Sequence, residues 1–123
     1  MVNPYLQNEI RTASPEALVV RLYERAILCA REARELTEAQ QAETRNARLR
    51  RALDIVNELR SSLDMDRGGE IAANLDALYE FVSHRLLAAG MQSEGEPIED
   101  ALRILEILVE PWREIAHGAR AAS

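Results

Sequence analysis

Leu63-Asp64-Met65-Asp66-Arg67-Gly68-Gly69-Glu70-Ile71-Ala72-Ala73-Asn74-Leu75-Asp76-Ala77-Leu78-Tyr79-Glu80-Phe81 joins a sharp turn to a helix that is apolar on two sides. The adjacent Gly68 and Gly69 can take the positive φ angles that end one helix and restart the chain in a new direction. Beyond them Ile71, Leu75, Leu78, Val82 and Leu86 recur at helical spacing and make the expected core stripe. Ala73, Ala77, Phe81 and Ala88 make a second stripe, about 120–160° away if each residue advances about 100°. One stripe is enough to bury a helix in a small bundle. The second means that this helix sits deep among its neighbours, or that it offers a groove of small residues to another helix.

Working outward, Ser14-Pro15-Glu16 is a strong helix start, with Ser14 as N-cap, Pro15 in the first turn and Glu16 at the positive helix end. The helix it opens should run to about Thr37 with a wide apolar arc through Leu18, Leu22, Tyr23, Ala26, Ile27 and Ala30. Residues 38–44 are polar and read as a connection, although an uninterrupted helical passage also fits their propensities. A second helix follows from about Arg45 to Leu63. Leu49, Leu53, Val56 and Leu63 point inward there, and Ala52, Ile55 and Leu59 extend the arc to one side. The third helix starts near Gly69 or Glu70 and ends near Gly90, a natural position for a glycine that stops a helix. After the loop at Met91–Glu96, Pro97 begins a fourth helix with Ile98, Ala101, Leu102, Leu105, Leu108, Val109 and Trp112 inward and Ile104 and Ile107 on its flank. Pro111 lacks the backbone donor that a helix interior uses, so a kink or an early stop is expected there. Residues 118–123 should fray.

Four helices of this length with short connections make an all-α, antiparallel four-helix bundle over residues 14–117, preceded by a flexible tail at 1–13. At 123 residues this is a single domain, large enough to bury roughly two-thirds of its unfolded surface. Aromatic residues make up only 4% of the chain, so the core has to come from Leu, Ile, Val and Ala.

The net charge is −6, and all fifteen basic residues are arginines. An acidic chain of this kind offers no broad field for nucleic acid. Arg45, Arg48, Arg50 and Arg51 form the one basic cluster and read as a solvated helix face. Cys29 is the only cysteine and falls on an apolar helix face, as a small buried hydrophobe in a reducing compartment would. The first ten residues lack the basic start and apolar run of a signal peptide. No stretch of about 18 apolar residues is available for stable membrane insertion. A cytoplasmic protein is expected.

Chemistry finds little support. His84 and His117 fall on different helices with no Cys or His at ligand spacing, so neither a metal nor a cofactor is expected. Asp64, Asp66 and Gly69 suggest a calcium loop, but Leu75 stands where such a loop needs a bidentate glutamate. His84-Arg85-Leu86-Leu87-Ala88-Ala89-Gly90 loosely resembles the His-x-Leu-Lys-Gly pattern of histidine phosphotransfer domains, with Leu87 and Ala88 in place of the lysine and glycine. No nucleophile–base ordering or phosphate-cradling glycine loop is present. The chain does not read as an enzyme.

The segment from Leu63 to Phe81 resembles the middle of the flagellar secretion chaperone family, FliS. Thr12-Ala13-Ser14-Pro15-Glu16-Ala17-Leu18 running into Leu22-Tyr23-Glu24, Asn3-Pro4-Tyr5 near the amino terminus, and Trp112 in the last helix are similar to the family pattern and stand in its order. Pro111 departs from that pattern. The resemblance implies a four-helix bundle that binds the disordered carboxy-terminal segment of flagellin, prevents premature polymerisation and delivers it to the flagellar type III export apparatus. It also implies that the amino-terminal tail folds back over the binding groove until flagellin displaces it. In this chain the groove candidates are Ala52, Ile55, Leu59, Ala73, Ala77, Phe81 and His84, and the tail anchors are Tyr5, Leu6 and Ile10. The expected state is a monomer or weak dimer. The alternative is a helical adaptor or homo-oligomerising bundle that ignores flagellin, with the phosphotransfer domain a more distant rival.

Overall fold

The computed structural model describes residues 14–91 and 96–122. The tail at 1–13, with the anchors Tyr5, Leu6 and Ile10, lies outside the described residues, as does most of the loop before the last helix. Four helices are present: α1 (Pro15–Glu35), α2 (Ala42–Ser61), α3 (Met65–Met91) and α4 (Glu96–Ala122). A 3-10 turn (Ala39–Gln41) precedes α2.

Local chemistry sets the helix starts. Ser14 Oγ accepts the Ala17 N–H at 3.1 Å, and Pro15 follows as the first helical residue. Asp64 Oδ1 accepts the Arg67 N–H at 3.0 Å and opens a single turn that stops at Gly69, where φ is 53° and ψ is −130°. Only glycine adopts that conformation without strain. Gly68 is needed for a different reason: a Cβ there would lie 2.5 Å from the Ala72 Cβ. The chain therefore pivots at Gly69, and the long limb of α3 begins at Glu70. Helix α4 differs from expectation at its other end, running through Pro111 to Ala122. A proline ring removes one donor from the ladder, while the neighbouring bonds on either side can still hold the helix.

Ion pairs across the seams fix the order of packing. Arg48–Glu32 at 2.7 Å links α2 to α1, and Arg60–Asp76 at 2.6 Å links α2 to α3. Arg85–Asp100 at 2.7 Å links α3 to α4, and Arg31–Glu106 at 2.7 Å with Arg34–Glu99 at 2.9 Å links α4 back to α1. Each helix packs on its two neighbours in a closed, antiparallel ring, with α1 and α3 facing one another across the centre. Exposed pairs of this kind contribute about 0–1 kcal/mol each, so the apolar core decides stability and the charges decide register.

The largest fully buried side chains are Tyr23, Val56, Val82, Leu86, Leu105 and Val109. Each contributes about 1.5–3 kcal/mol by leaving water. On α3 the inward repeat is Ala72, Leu75, Tyr79, Val82, Leu86 and Ala89. This corrects the expected core stripe at two positions, since Leu78 is only half-buried and outside the core cluster, and Ile71 leaves it altogether. Ile71 is 73% exposed, and Tyr79 takes an inward place that the Leu/Ile spacing had not suggested.

Candidate apolar docking face

The groove candidates of the sequence divide into two groups. Ala73, Ala77, Phe81 and His84 all lie exposed on the outer face of α3. Ala52, Ile55 and Leu59, expected beside them, are instead buried in the core. Ile55 and Leu59 stand within about 20° of Arg48 on the wheel of α2 at about 100° per residue, and Arg48 pairs with Glu32 of α1. Ile55 therefore fills the α1–α2 seam, Leu59 reaches the face only as a buried wall of the cleft described below, and the rest of the surface that borders the exposed face of α3 comes from a different helix.

That helix is α4. Asp100 faces α3 through Arg85, whereas Glu99, Glu106 and Arg113 face α1 through Arg34, Arg31 and Glu24. Ile104, Ile107, Leu108, Pro111 and Ile115 fall from about −20° to +80° around Asp100, away from the α1 side, at about 100° per residue. On α3, Ile71, Leu78 and Phe81 fall within about 40° of Arg85 by the same count. The two sets meet along the outer side of the α3–α4 seam. Phe81 is 46% exposed, Ile107 61% and Ile115 52%, with Leu78, Ile104 and Leu108 half-buried between them. Large apolar side chains gathered in one strip on a small protein mark an interaction surface more often than chance exposure does. The spacing places Ile107 on the flank of the fourth helix, and its part in such a strip follows only from the observed order of helices, which sets α4 beside α3.

Beside the Gly68–Gly69 pivot the face opens into an apolar cleft of about 430 Å³, lined by Val19, Leu59, Leu63, Ile71, Leu75 and Trp112 among others. Its inner wall is Tyr79, whose hydroxyl hydrogen-bonds the Tyr23 hydroxyl of α1. Burial, then the bond and charge of Tyr79, push the Tyr23 phenol well above the usual tyrosine range, and the Trp112 indole nearby opposes them. Burial also raises Tyr79, against the effect of its bond to Tyr23. The cleft thus has apolar rims over a neutral, satisfied hydroxyl pair. Val19 belongs to the first turns of α1, so the amino-terminal end of that helix stands beside this opening.

Among the described residues no cluster of three His, Cys, Asp or Glu is placed to hold a metal ion. No described helix is long and apolar enough to cross a membrane. His84 stands exposed, with no described nucleophile or base bonded to it. The arrangement suits the burial of an apolar segment.

Comparison with known proteins gives a consistent result. The family model described as "Flagellar protein FliS" matches residues 1–119. A flagellar secretion chaperone FliS of Salmonella typhimurium is 31% identical over 115 residues, covering 93% of this chain and 85% of the relative. One from Campylobacter jejuni is 31% identical over 121 residues, covering 98% and 94%. A solved structure described as a flagellar chaperone from bacteria superposes with a TM-score of 0.76 at 24% identity, covering 93% of each chain, and shares the fold.

Proposed function

This chain belongs to the FliS family of flagellar proteins, and on that basis we propose that it is a cytoplasmic export chaperone that holds the carboxy-terminal segment of flagellin on its α3–α4 face. One observation carries this reading: the bundle closes its core among four helices, and the strip from Phe81 to Ile107 and Ile115 is left over. A disordered partner has to bury substantial apolar area to offset the entropy of its own ordering. A rigid, preformed apolar strip supplies that area, with recognition of an amphipathic helix laid in a groove. Masking the segment keeps flagellin from polymerising before delivery to the export apparatus.

The tail fits the same scheme. The start of α1 stands near the cleft that Val19 lines, and thirteen preceding residues have a reach of up to about 40 Å when extended, far enough for Tyr5, Leu6 and Ile10 to cover the cleft and part of the face. Such a cover shields exposed apolar surface. It also lowers apparent affinity by the fraction of time it is seated.

Calorimetry with a peptide from roughly the last 40 residues of the cognate flagellin tests the reading. Binding should show a negative heat-capacity change and a gain of helicity beyond the free components. Phe81→Glu with Ile107→Glu should weaken binding tenfold or more while leaving the thermal melt in place. No binding at high micromolar concentration, or a face that serves only to pair two copies of this chain, overturns it.

A further inference from the structure

A second, smaller cleft lies between α2 and α3 at the end of the bundle away from Gly69. It measures about 240 Å³, and Leu53, Leu87, Met91 and Arg50 are among its walls. Its apolar walls are open: Leu87 is 53% exposed and Met91 87%. The charge around it is unusual for this molecule. Most described arginines are committed to carboxylates or carbonyls, as Arg48 is to Glu32 and Arg60 is to Asp76. Arg50 and its neighbour Arg51 are exposed and take part in none of the ion pairs or hydrogen bonds among the described residues. Asp54, one turn further along α2, is exposed and forms no ion pair with them. An acidic chain with a net charge of −6 therefore presents the uncompensated Arg50 guanidinium in the wall of an apolar slot, with the exposed Arg51 next to it along α2.

We infer that the α2–α3 cleft is a second docking site, separate from the α3–α4 face, that takes an acidic amphipathic helix of another protein. Apolar side chains of that helix fill the slot between Leu53, Leu87 and Met91, and its carboxylates pair with Arg50 and Arg51. Guanidinium groups bind carboxylates through paired N–H donors, so the charge selects the partner and the slot supplies buried area. The cleft lies on the other side of α3 from the strip: Ser83 and Asp76 face α2, while Arg85 faces α4. Both sites can thus be filled at once. The inference rests on the chaperone reading for its purpose, since a carrier with cargo on one face needs another by which the next protein can meet it.

The probe is a fluorescein-labelled synthetic helix with leucines at i, i+3, i+4 and i+7 flanked by glutamates, together with a twin carrying lysine for every glutamate. Anisotropy should show the glutamate helix binding the full chain, and R50E/R51E or M91Q should weaken it, tenfold or more for the charge reversal. F81E and a saturating flagellin peptide should leave it unchanged. Circular dichroism checks that the variants fold, as their exposure leads one to expect. Equal binding of the lysine twin, indifference to R50E/R51E, loss of binding in F81E, displacement by the flagellin peptide, or no binding at all each overturns the second site. Failure of the flagellin peptide to bind wild-type protein overturns the chaperone reading instead, and the charge-reversal arm still decides this one.

Discussion

The phenol of Tyr23 on α1 and the phenol of Tyr79 on α3 hydrogen-bond one another across the centre of the bundle, with ring centroids 6.3 Å apart and planes 43° to each other. These two helices are diagonal in the ring, so this contact ties together elements that share no seam. Both side chains are almost fully buried, and one hydroxyl donates to the other.

Removing one hydroxyl leaves the other buried without its partner, at about 1–3 kcal/mol. Tyr23→Phe and Tyr79→Phe should each incur a loss of this size. The double variant should lose less than the sum of the two singles. Urea denaturation of the four proteins completes the cycle.

The same pair predicts an alkaline limit. Both folded pKa values lie above the ordinary tyrosine value of 10.0. A group raised on folding contributes stability that is complete below its unfolded pKa and lost as pH rises through the folded value. Stability should therefore decline above about pH 10 in the wild type. The Tyr23→Phe/Tyr79→Phe double variant should show a flatter profile when denatured at a series of high pH values.

At the acid end, Asp76 is the informative carboxylate. The hydrogen bond from Arg60 is the chief cause that holds it below the usual 3.8, with desolvation opposing. Its contribution is present above the unfolded pKa and fades as pH falls through the lower folded value. In a carbon-detected NMR titration Asp76 should titrate below the ordinary aspartate value, and Arg60→Gln should move it upward.

Gly68 and Gly69 should fail differently when replaced. Gly69→Ala meets no atom but has to hold φ at 53° with ψ at −130°, which costs about 1–3 kcal/mol. Gly68→Ala collides with Ala72, so the double change Gly68→Ala/Ala72→Gly should recover part of the loss. Thermal melts of the three variants separate backbone strain from steric conflict.

Burial and exposure give the remaining test. Ile55→Ala removes a core side chain and should cost about 2–5 kcal/mol through lost transfer energy and a cavity. Phe81→Glu lies on the open face and should shift the melting midpoint by far less. Similar losses in the two would place Phe81 in the core.

The helices were legible because their starts carry specific chemistry: Ser14-Pro15 at α1, and Gly68-Gly69 before the long limb of α3. The all-α bundle and its family followed from the same residues. Half of the candidate face was legible as well, since Ala73, Ala77 and Phe81 stand about 120–160° from the assigned core stripe, a spacing the sequence alone defines. The other half was not. Ala52, Ile55 and Leu59 belong to an apolar arc wide enough to serve either of two seams, and only the neighbours of α2 decide which. Ile71 failed for a related reason, because a single leucine-like spacing fitted two registers and the buried Tyr79 selects one of them. Pro111 shows a limit of local rules, since tertiary packing carried α4 past a residue that disfavours helix.

Trp112 is the chain's one tryptophan, and it stands half-buried in the wall of the cleft beside Val19 and Ile71. An indole partly in water emits at longer wavelength than one sealed in hydrocarbon. A segment that settles into the cleft, whether the chain's own tail or a visiting helix, strips that water and shifts the emission to the blue. The protein is thereby its own optical sensor, and the exchange of one occupant for another becomes a stopped-flow trace that needs no added dye.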